Sequence, residues 1–174
     1  MESEWEDKIK KVLGLILEYD PSQNIDSLLE EKSEFFVDPV EKAFFFLRVL
    51  VNIQVSVMRY GIHLCNGKLK KEKTESLCKR KRTFSLRLKN LNIIEMEIVK
   101  VLKNLDNMSQ DQKLIYKKEH GKDLLYIYDY YFSFAMQSEV RFCKKLRTDT
   151  RRIFKKDRWW SWFKYTGLGR EMLF

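Results

Sequence analysis

Hydrophobic positions recur with the period of an α-helix in several long segments of the chain. Near the amino terminus one helical face carries Trp5, Ile9, Val12, Leu13 and Ile16. Ser3 followed by Glu6 has the pattern of a capping box. These features predict a first helix that begins at Ser3 and ends near Tyr19, before Asp20-Pro21. A weaker apolar stripe predicts a short second helix at residues 25–35.

A longer helix is predicted to begin at Pro39. Asp38 is a capping acceptor, Pro39 suits the first helical position, and Glu41 completes a capping box. The helical period is kept by Val40, Phe44, Leu47, Val51, Val55, Met58 and Ile62. The β-branched run 49–57 is also compatible with a strand, but the length of the pattern favours a helix that ends near His63. Asn66-Gly67 then predicts the helix exit, followed by an exposed loop at residues 68–73.

Between Thr74 and Leu105 an apolar residue recurs every seven positions, at Leu77, Phe84, Leu91, Ile98 and Leu105. This spacing predicts one long helix. Lys81 and Glu95 interrupt the pattern, which favours packing within a bundle over a continuous coiled coil.

Ser109 and Gln112 form another capping-box pattern, which predicts the start of a last long helix. We expect it to bend at Gly121 and to end near Asp149. Its predicted buried face comprises Leu124, Tyr128, Tyr131, Ala135, Phe142 and Leu146. A final short helix, or a continuation of the same one, would carry Ile153, Phe154 and Trp160.

These elements predict an all-α protein. With only 6 Gly and 2 Pro in 174 residues, the chain has little material for a turn-rich β fold. We predict a single helical domain over residues 1–174, a bundle of about five or six helices, two or three of them long. The most apolar stretch, residues 43–58, includes Arg48, Asn52 and Gln54 and is shorter than the roughly 20 residues that span a bilayer, so no transmembrane segment is predicted.

The charges are segregated along the chain, whose formal net charge is +9. Residues 1–47 contain 12 acidic and 5 basic side chains. Two later segments, 68–89 and 144–170, each contain 10 basic side chains and only 2 acidic ones. A solvated helix face usually mixes both signs, so these two clusters indicate a polyanionic partner, either DNA or RNA.

We assign candidate binding residues to both clusters. The first contains the run Lys79, Arg80, Lys81 and Arg82. In composition the run also resembles a nuclear-import signal, although four basic residues are a weak motif, and a solvated helix start is a further interpretation of it. In the second, one sector of a helix carries Lys144, Arg151, Lys155 and Arg158, a stripe of about 21 Å that would contact several phosphates. Trp159 could stack on an unpaired base.

Three other interpretations of these features stay open at this point. The tail aromatics could close the bundle instead, and Trp160 in particular shares a helical sector with Leu146 and Ile153. The tail could also contact an anionic membrane surface. The main alternative is an interaction adaptor whose acidic amino-terminal region and aromatic carboxy-terminal tail bind protein partners.

An enzyme is the less favoured interpretation. Arg59 and His63 lie one turn apart and weakly resemble the Arg-x4–6-His motif of HEPN-family ribonucleases, whose Arg and His act together on an RNA phosphate. Only three residues separate the two, and no polar residue comes directly after Arg59, so we interpret them as a partly buried pair that caps the helix. We expect no catalytic residues and no cofactor.

The cysteines carry no recognisable disulfide or metal pattern. Cys65, Cys78 and Cys143 are odd in number and lack CxxC spacing, so we expect reduced thiols and no metal site. The acidic sequence MESEWEDKIKK lacks the features of a secretory signal. An intracellular location, cytoplasmic or nuclear, is therefore expected.

Overall fold

The structure, a computed structural model, describes residues 2–19 and 38–137. Within these ranges 92% of the residues are helical and none forms a strand, which confirms the all-α class. The helices are α1 (Glu2–Tyr19), α2 (Pro39–Leu69), α3 (Glu75–Asp106) and α4 (Gln110–Gln137). The predicted number of five or six is not matched by these four. The helices predicted at residues 25–35 and around Ile153, Phe154 and Trp160 lie outside the described residues.

Helix α2 is the central element of the fold. Helices α1 and α3 pack extensively against it, and α4 contacts it less. Every residue from Val49 to Val55 is buried, which covers nearly two turns and therefore every side of the helix. The β-branched run is helical here because burial against neighbouring helices outweighs its intrinsic preference for strands.

The start of α2 follows the sequence pattern, with one difference. The Asp38 side chain accepts a hydrogen bond of 3.2 Å from the Val40 N–H, and Pro39 occupies the first turn. Glu41 was expected to complete a capping box. Its carboxylate instead forms an ion pair of 2.6 Å with Lys113 of α4. The acidic first turn of α2 therefore anchors a second helix.

Two predicted helix boundaries are wrong. Helix α2 continues through Asn66 and Gly67 to Leu69, six residues past His63, so residues 70–73 of the predicted 68–73 loop are non-helical and residues 68–69 are helical. Asn and Gly tolerate a helix exit without requiring one, and buried Cys65 with half-buried Leu69 continues the packed face by one more turn. Helix α1 begins at Glu2, which places Ser3 inside the helix rather than at its cap.

The long helix predicted from the seven-residue repeat is confirmed as α3. Thr74 caps it by accepting a hydrogen bond of 3.3 Å from the Leu77 N–H. The later repeat positions are buried, namely Phe84, Leu91, Ile98 and Leu105. Glu95, which interrupts the repeat, accepts hydrogen bonds from Arg48 at 3.3 Å and Asn52 at 3.2 Å. This charged position thus ties α3 to α2.

The capping box before α4 is also confirmed. The Ser109 N–H donates to Gln112 Oε1 at 3.0 Å, and the Gln112 N–H donates to Ser109 Oγ at 3.2 Å. The helix is continuous through the buried Gly121. Of its predicted buried face, Leu124, Tyr128 and Ala135 are buried and Tyr131 is half-buried. Phe142, Leu146 and the predicted end near Asp149 lie outside the described residues.

Aromatic contacts join α1, α2 and α4. Trp5 lies 6.1 Å from Phe44 and 5.6 Å from Tyr128, and Phe44 lies 5.4 Å from Tyr128, all between ring centroids. The two contacts of Tyr128 are edge-to-face, the arrangement that the ring quadrupoles favour. Beside this cluster Lys8 pairs with Asp129 at 2.6 Å. These contacts hold α1 against α2 and α4.

Candidate nucleic-acid interface

The connection between α2 and α3 brings basic residues from two helices together. After Leu69 the chain makes a tight turn in which the Lys68 carbonyl accepts hydrogen bonds from the N–H groups of Lys71 and Glu72, at 3.1 Å and 3.0 Å. Helix α3 then starts after Thr74 and runs back along α2. Because the connection is so short, the last turn of α2 lies beside the first turns of α3.

The Cys65 thiol is influenced by basic side chains of both helices. Cys65 is buried in α2 with 4% of its surface exposed, and that burial raises its pKa. The charges of Arg80, Lys68 and Lys81 act in the opposite direction and favour the thiolate. One of these cations comes from the end of α2 and two from α3, so both helices contribute positive charge around a single group.

We use the term basic corner for the cationic side chains of this region, Lys68, Lys70, Lys71, Lys73, Lys79, Arg80, Lys81 and Arg82. All are exposed except Lys81, which is half-buried. Among the described residues none of the eight takes part in an ion pair. Glu72 and Glu75 are the nearby acidic residues in sequence, and both are exposed. The basic corner therefore presents a strongly positive, solvated surface.

The four candidate residues of this cluster do not form one flat stripe. Consecutive helical residues are about 100° apart, so Lys79 to Arg82 extend around α3. Arg80 and Lys81 influence Cys65, whereas Lys81 and Arg82 border an open pocket. Of the predicted run, Arg80 and Arg82 thus belong to two different surroundings, Lys81 is common to both, and Lys79 belongs to neither.

The pocket, which we call the Cys78 pocket, has a volume of about 510 Å³. It is lined by Leu69, Lys73, Cys78, Lys81, Arg82 and Ser85. The α3 members are spaced three or four residues apart and therefore share one helical face. Leu69, Lys73, Cys78 and Ser85 were not among the sequence candidates. Their spacing along α3 was visible in the sequence, but the approach of Leu69 and Lys73 depends on the turn after α2.

Other cationic side chains have defined partners within the bundle. Lys113 pairs with Glu41, Lys117 pairs with Asp38 at 2.8 Å, and Arg48 pairs with Glu95. The hydrogen bond from Lys113 to Glu41 raises the pKa of Lys113, against the opposing effect of burial. These cations form ion pairs that join two helices, whereas those of the basic corner form no ion pair among the described residues.

The second set of candidate residues lies outside the described residues. It comprises Lys144, Arg151, Lys155, Arg158 and Trp159. Trp160, which was predicted to pack in the core, also lies outside the described residues. The predicted roles of these residues therefore stay predictions.

The interpretation of Arg59 and His63 needs correction. Both side chains are exposed, and α2 continues past them to Leu69. They are not partly buried, because the packed residues of α2 lie on a different face of the helix. They are not at the helix end, because that packed face continues for about another turn and a half.

Cys65 and Cys78 are both free thiols. Cys143 lies outside the described residues. Within ranges 2–19 and 38–137 no group of three or more potential ligands could hold a metal ion. In the same ranges no helix is long and apolar enough to cross a membrane.

Comparisons with protein-family models, curated proteins and solved structures found no match to this chain.

Proposed function

We propose that the protein is a non-enzymatic nucleic-acid-binding protein that contacts phosphates through the basic corner. The observation that supports this proposal is a group of eight cationic side chains, seven of them exposed and Lys81 half-buried, that form no ion pair among the described residues. Holding such charges close together is unfavourable for the isolated protein, whereas a polyanion would neutralise them. Release of the counterions condensed on the nucleic acid would drive association.

The proposal includes the second basic cluster. Lys144, Arg151, Lys155 and Arg158 would add phosphate contacts, and Trp159 would stack on an unpaired base. Phosphate contacts alone carry no sequence information, so we expect weak sequence selectivity.

The test measures affinity for a DNA duplex as a function of salt concentration. Substitution of Lys79, Arg80, Lys81 and Arg82 by Gln is expected to weaken binding and to reduce the slope of log affinity against log salt by up to about 3.6, because each duplex phosphate contact contributes about 0.9. A variant with Lys144, Arg151, Lys155 and Arg158 replaced by Gln tests the second cluster in the same way.

The matched control removes the same charge from exposed positions elsewhere. Lys10, Lys103, Lys118 and Lys122 are exposed, and their replacement by Gln should leave most of the slope intact. Equal losses in the control and in the basic-corner variant would contradict the proposed site. Absence of salt-dependent binding in the unmodified protein would contradict the function itself.

The second candidate function is a protein-interaction adaptor. It is favoured by large apolar side chains exposed on α3, namely Leu86, Ile93 and Met96, which are between 51% and 61% exposed. Grouped exposed apolar residues mark interaction surfaces in many proteins. This candidate predicts a protein partner whose affinity responds to changes at Ile93 and not to those at Lys79 to Arg82.

A further inference from the structure

The Cys78 pocket has a composition that suits a nucleotide better than a bare phosphate. Leu69, the Cys78 sulfur and the methylene stems of the lysines offer apolar surface. Lys73, Lys81 and Arg82 offer three positive charges, and among the described residues no carboxylate lines the pocket. Its volume of about 510 Å³ lies within the usual range for small-ligand sites, roughly 300–1,000 Å³.

Single and double strands would contact a concave surface in different ways. In a duplex the bases are stacked and paired, so only phosphates would contact the rim of the pocket. A base in a single strand can turn outward, lie against apolar surface and stack on the planar guanidinium of an arginine such as Arg82. The lysines at the rim would then contact the adjoining phosphates.

We infer that the Cys78 pocket receives one nucleotide of a single-stranded nucleic acid, with the base against Leu69 and Cys78 and the phosphate beside Lys73 and Lys81. This inference rests on the proposed function and adds a preference for single strands over duplexes. The basic corner outside the pocket supplies the contacts that both kinds of ligand share.

The test fills the pocket without changing the charge. Ser85 is exposed and its hydroxyl donates to the Lys81 carbonyl of its own helix, so Ser85→Trp is a local change. Ser76, exposed on the same helix and outside the pocket lining, provides the matched control Ser76→Trp. The probes are an oligothymidine and a DNA duplex with the same number of phosphates.

We expect the unmodified protein to bind the oligothymidine more tightly than the duplex. Ser85→Trp should weaken oligothymidine binding about tenfold, within the range for loss of one base-stacking contact, and leave duplex binding unchanged. Ser76→Trp should alter neither affinity.

Cys78 provides a second readout that does not depend on affinity. In a Cys143→Ser background the reaction of Cys78 with N-ethylmaleimide should be slowed by oligothymidine and not by the duplex. Cys65, which is buried, serves as the control for folding, because its reaction would report local opening. If Ser85→Trp does not fold, modification of Cys78 with N-phenylmaleimide on the folded Cys143→Ser protein fills the pocket instead.

The outcomes separate the inference from the proposed function. If both probes bind equally, and filling the pocket changes neither affinity while the Lys79 to Arg82 substitutions weaken both, the inference is overturned and the function stands. If those substitutions weaken neither, the proposed function fails. A tenfold loss for oligothymidine alone, with protection of Cys78, supports both.

Discussion

The charged side chains at the two ends of α2 differ in pairing and in exposure. At the amino-terminal end Asp38 and Glu41 pair with Lys117 and Lys113 of α4, and all four side chains are no more than 23% exposed. At the carboxy-terminal end the basic corner is solvated and has no ion pair among the described residues. Paired charges in a sheltered position stabilise a particular arrangement of helices. Unpaired like charges destabilise the isolated protein slightly and favour an anionic partner.

The largest effect on stability is expected from breaking the Lys113–Glu41 pair. Lys113→Met would leave the sheltered Glu41 carboxylate without its counterion, so we expect the free energy of unfolding to fall by about 3 kcal/mol. Chemical denaturation would measure the change. The double variant Glu41→Gln/Lys113→Met should recover part of the loss. Similar losses for the single and double variants would show that the ion pair is not what stabilises this end.

Tyr128 gives the amino-terminal end a dependence on alkaline pH. Burial raises its pKa, and the nearby Asp129 adds to the effect. Below pH about 10 the tyrosine is neutral in both states and its contribution is fully present. At higher pH the unfolded chain ionises first, so stability should fall by about 1.4 kcal/mol per pH unit until the folded state also ionises.

Tyr128→Phe isolates this contribution. The Tyr128 hydroxyl forms no hydrogen bond within the described part of the chain, so the variant should be nearly as stable as the unmodified protein at pH 7. Above pH 10 it should lose stability less steeply. Parallel pH profiles of the two proteins would contradict the effect of burial on this group.

A direct comparison of two lysines tests the difference between the ends. Lys117 pairs with Asp38 at 2.8 Å, whereas Lys71 is exposed and has no ion pair among the described residues. Lys117→Gln should lower the free energy of unfolding by about 1 kcal/mol, and Lys71→Gln should change it by less than about 0.5 kcal/mol. Equal effects in thermal denaturation would remove the distinction between the two ends.

The smallest expected effect is that of salt concentration on the stability of the protein. Raising the salt concentration from 0.1 M to 1 M shortens the screening length from about 10 Å to about 3 Å, which weakens repulsion within the basic corner. The unmodified protein should gain a few tenths of a kcal/mol in stability. The variant with Lys79 to Arg82 replaced by Gln should gain less, and an equal gain would show that repulsion at this corner is negligible.

The helices were predictable because each carries its pattern locally. The repeat from Leu77 to Leu105 and the capping box at Ser109 are confirmed since these patterns depend on neighbours within one helix. The continuation of α2 through Gly67 was missed because Asn-Gly is compatible with both a helix and its exit.

The candidate site was predictable only in part. The run Lys79 to Arg82 is visible in the sequence as a cluster of charge, and in the structure its members are exposed apart from the half-buried Lys81. The sequence does not show that Leu69 and Lys73 lie beside Cys78, or that Glu41 pairs with Lys113. Both facts depend on the packing of separate helices, which local periodicity does not encode.

The burial of residues 49–55 of α2 on every side has a consequence for biosynthesis. Its β-branched run 49–57 combines high strand propensity with low charge and contains no proline, which is the signature of a segment prone to cross-β aggregation. Asn52, Gln54 and Ser56 are the polar interruptions within it. Helix α3, which covers part of this segment, lies later in the chain and is synthesised after it. During translation the nascent chain therefore exposes this segment until α3 has left the ribosome. Among the described helices that precede it, only α1 packs against α2 and is available to cover part of it earlier.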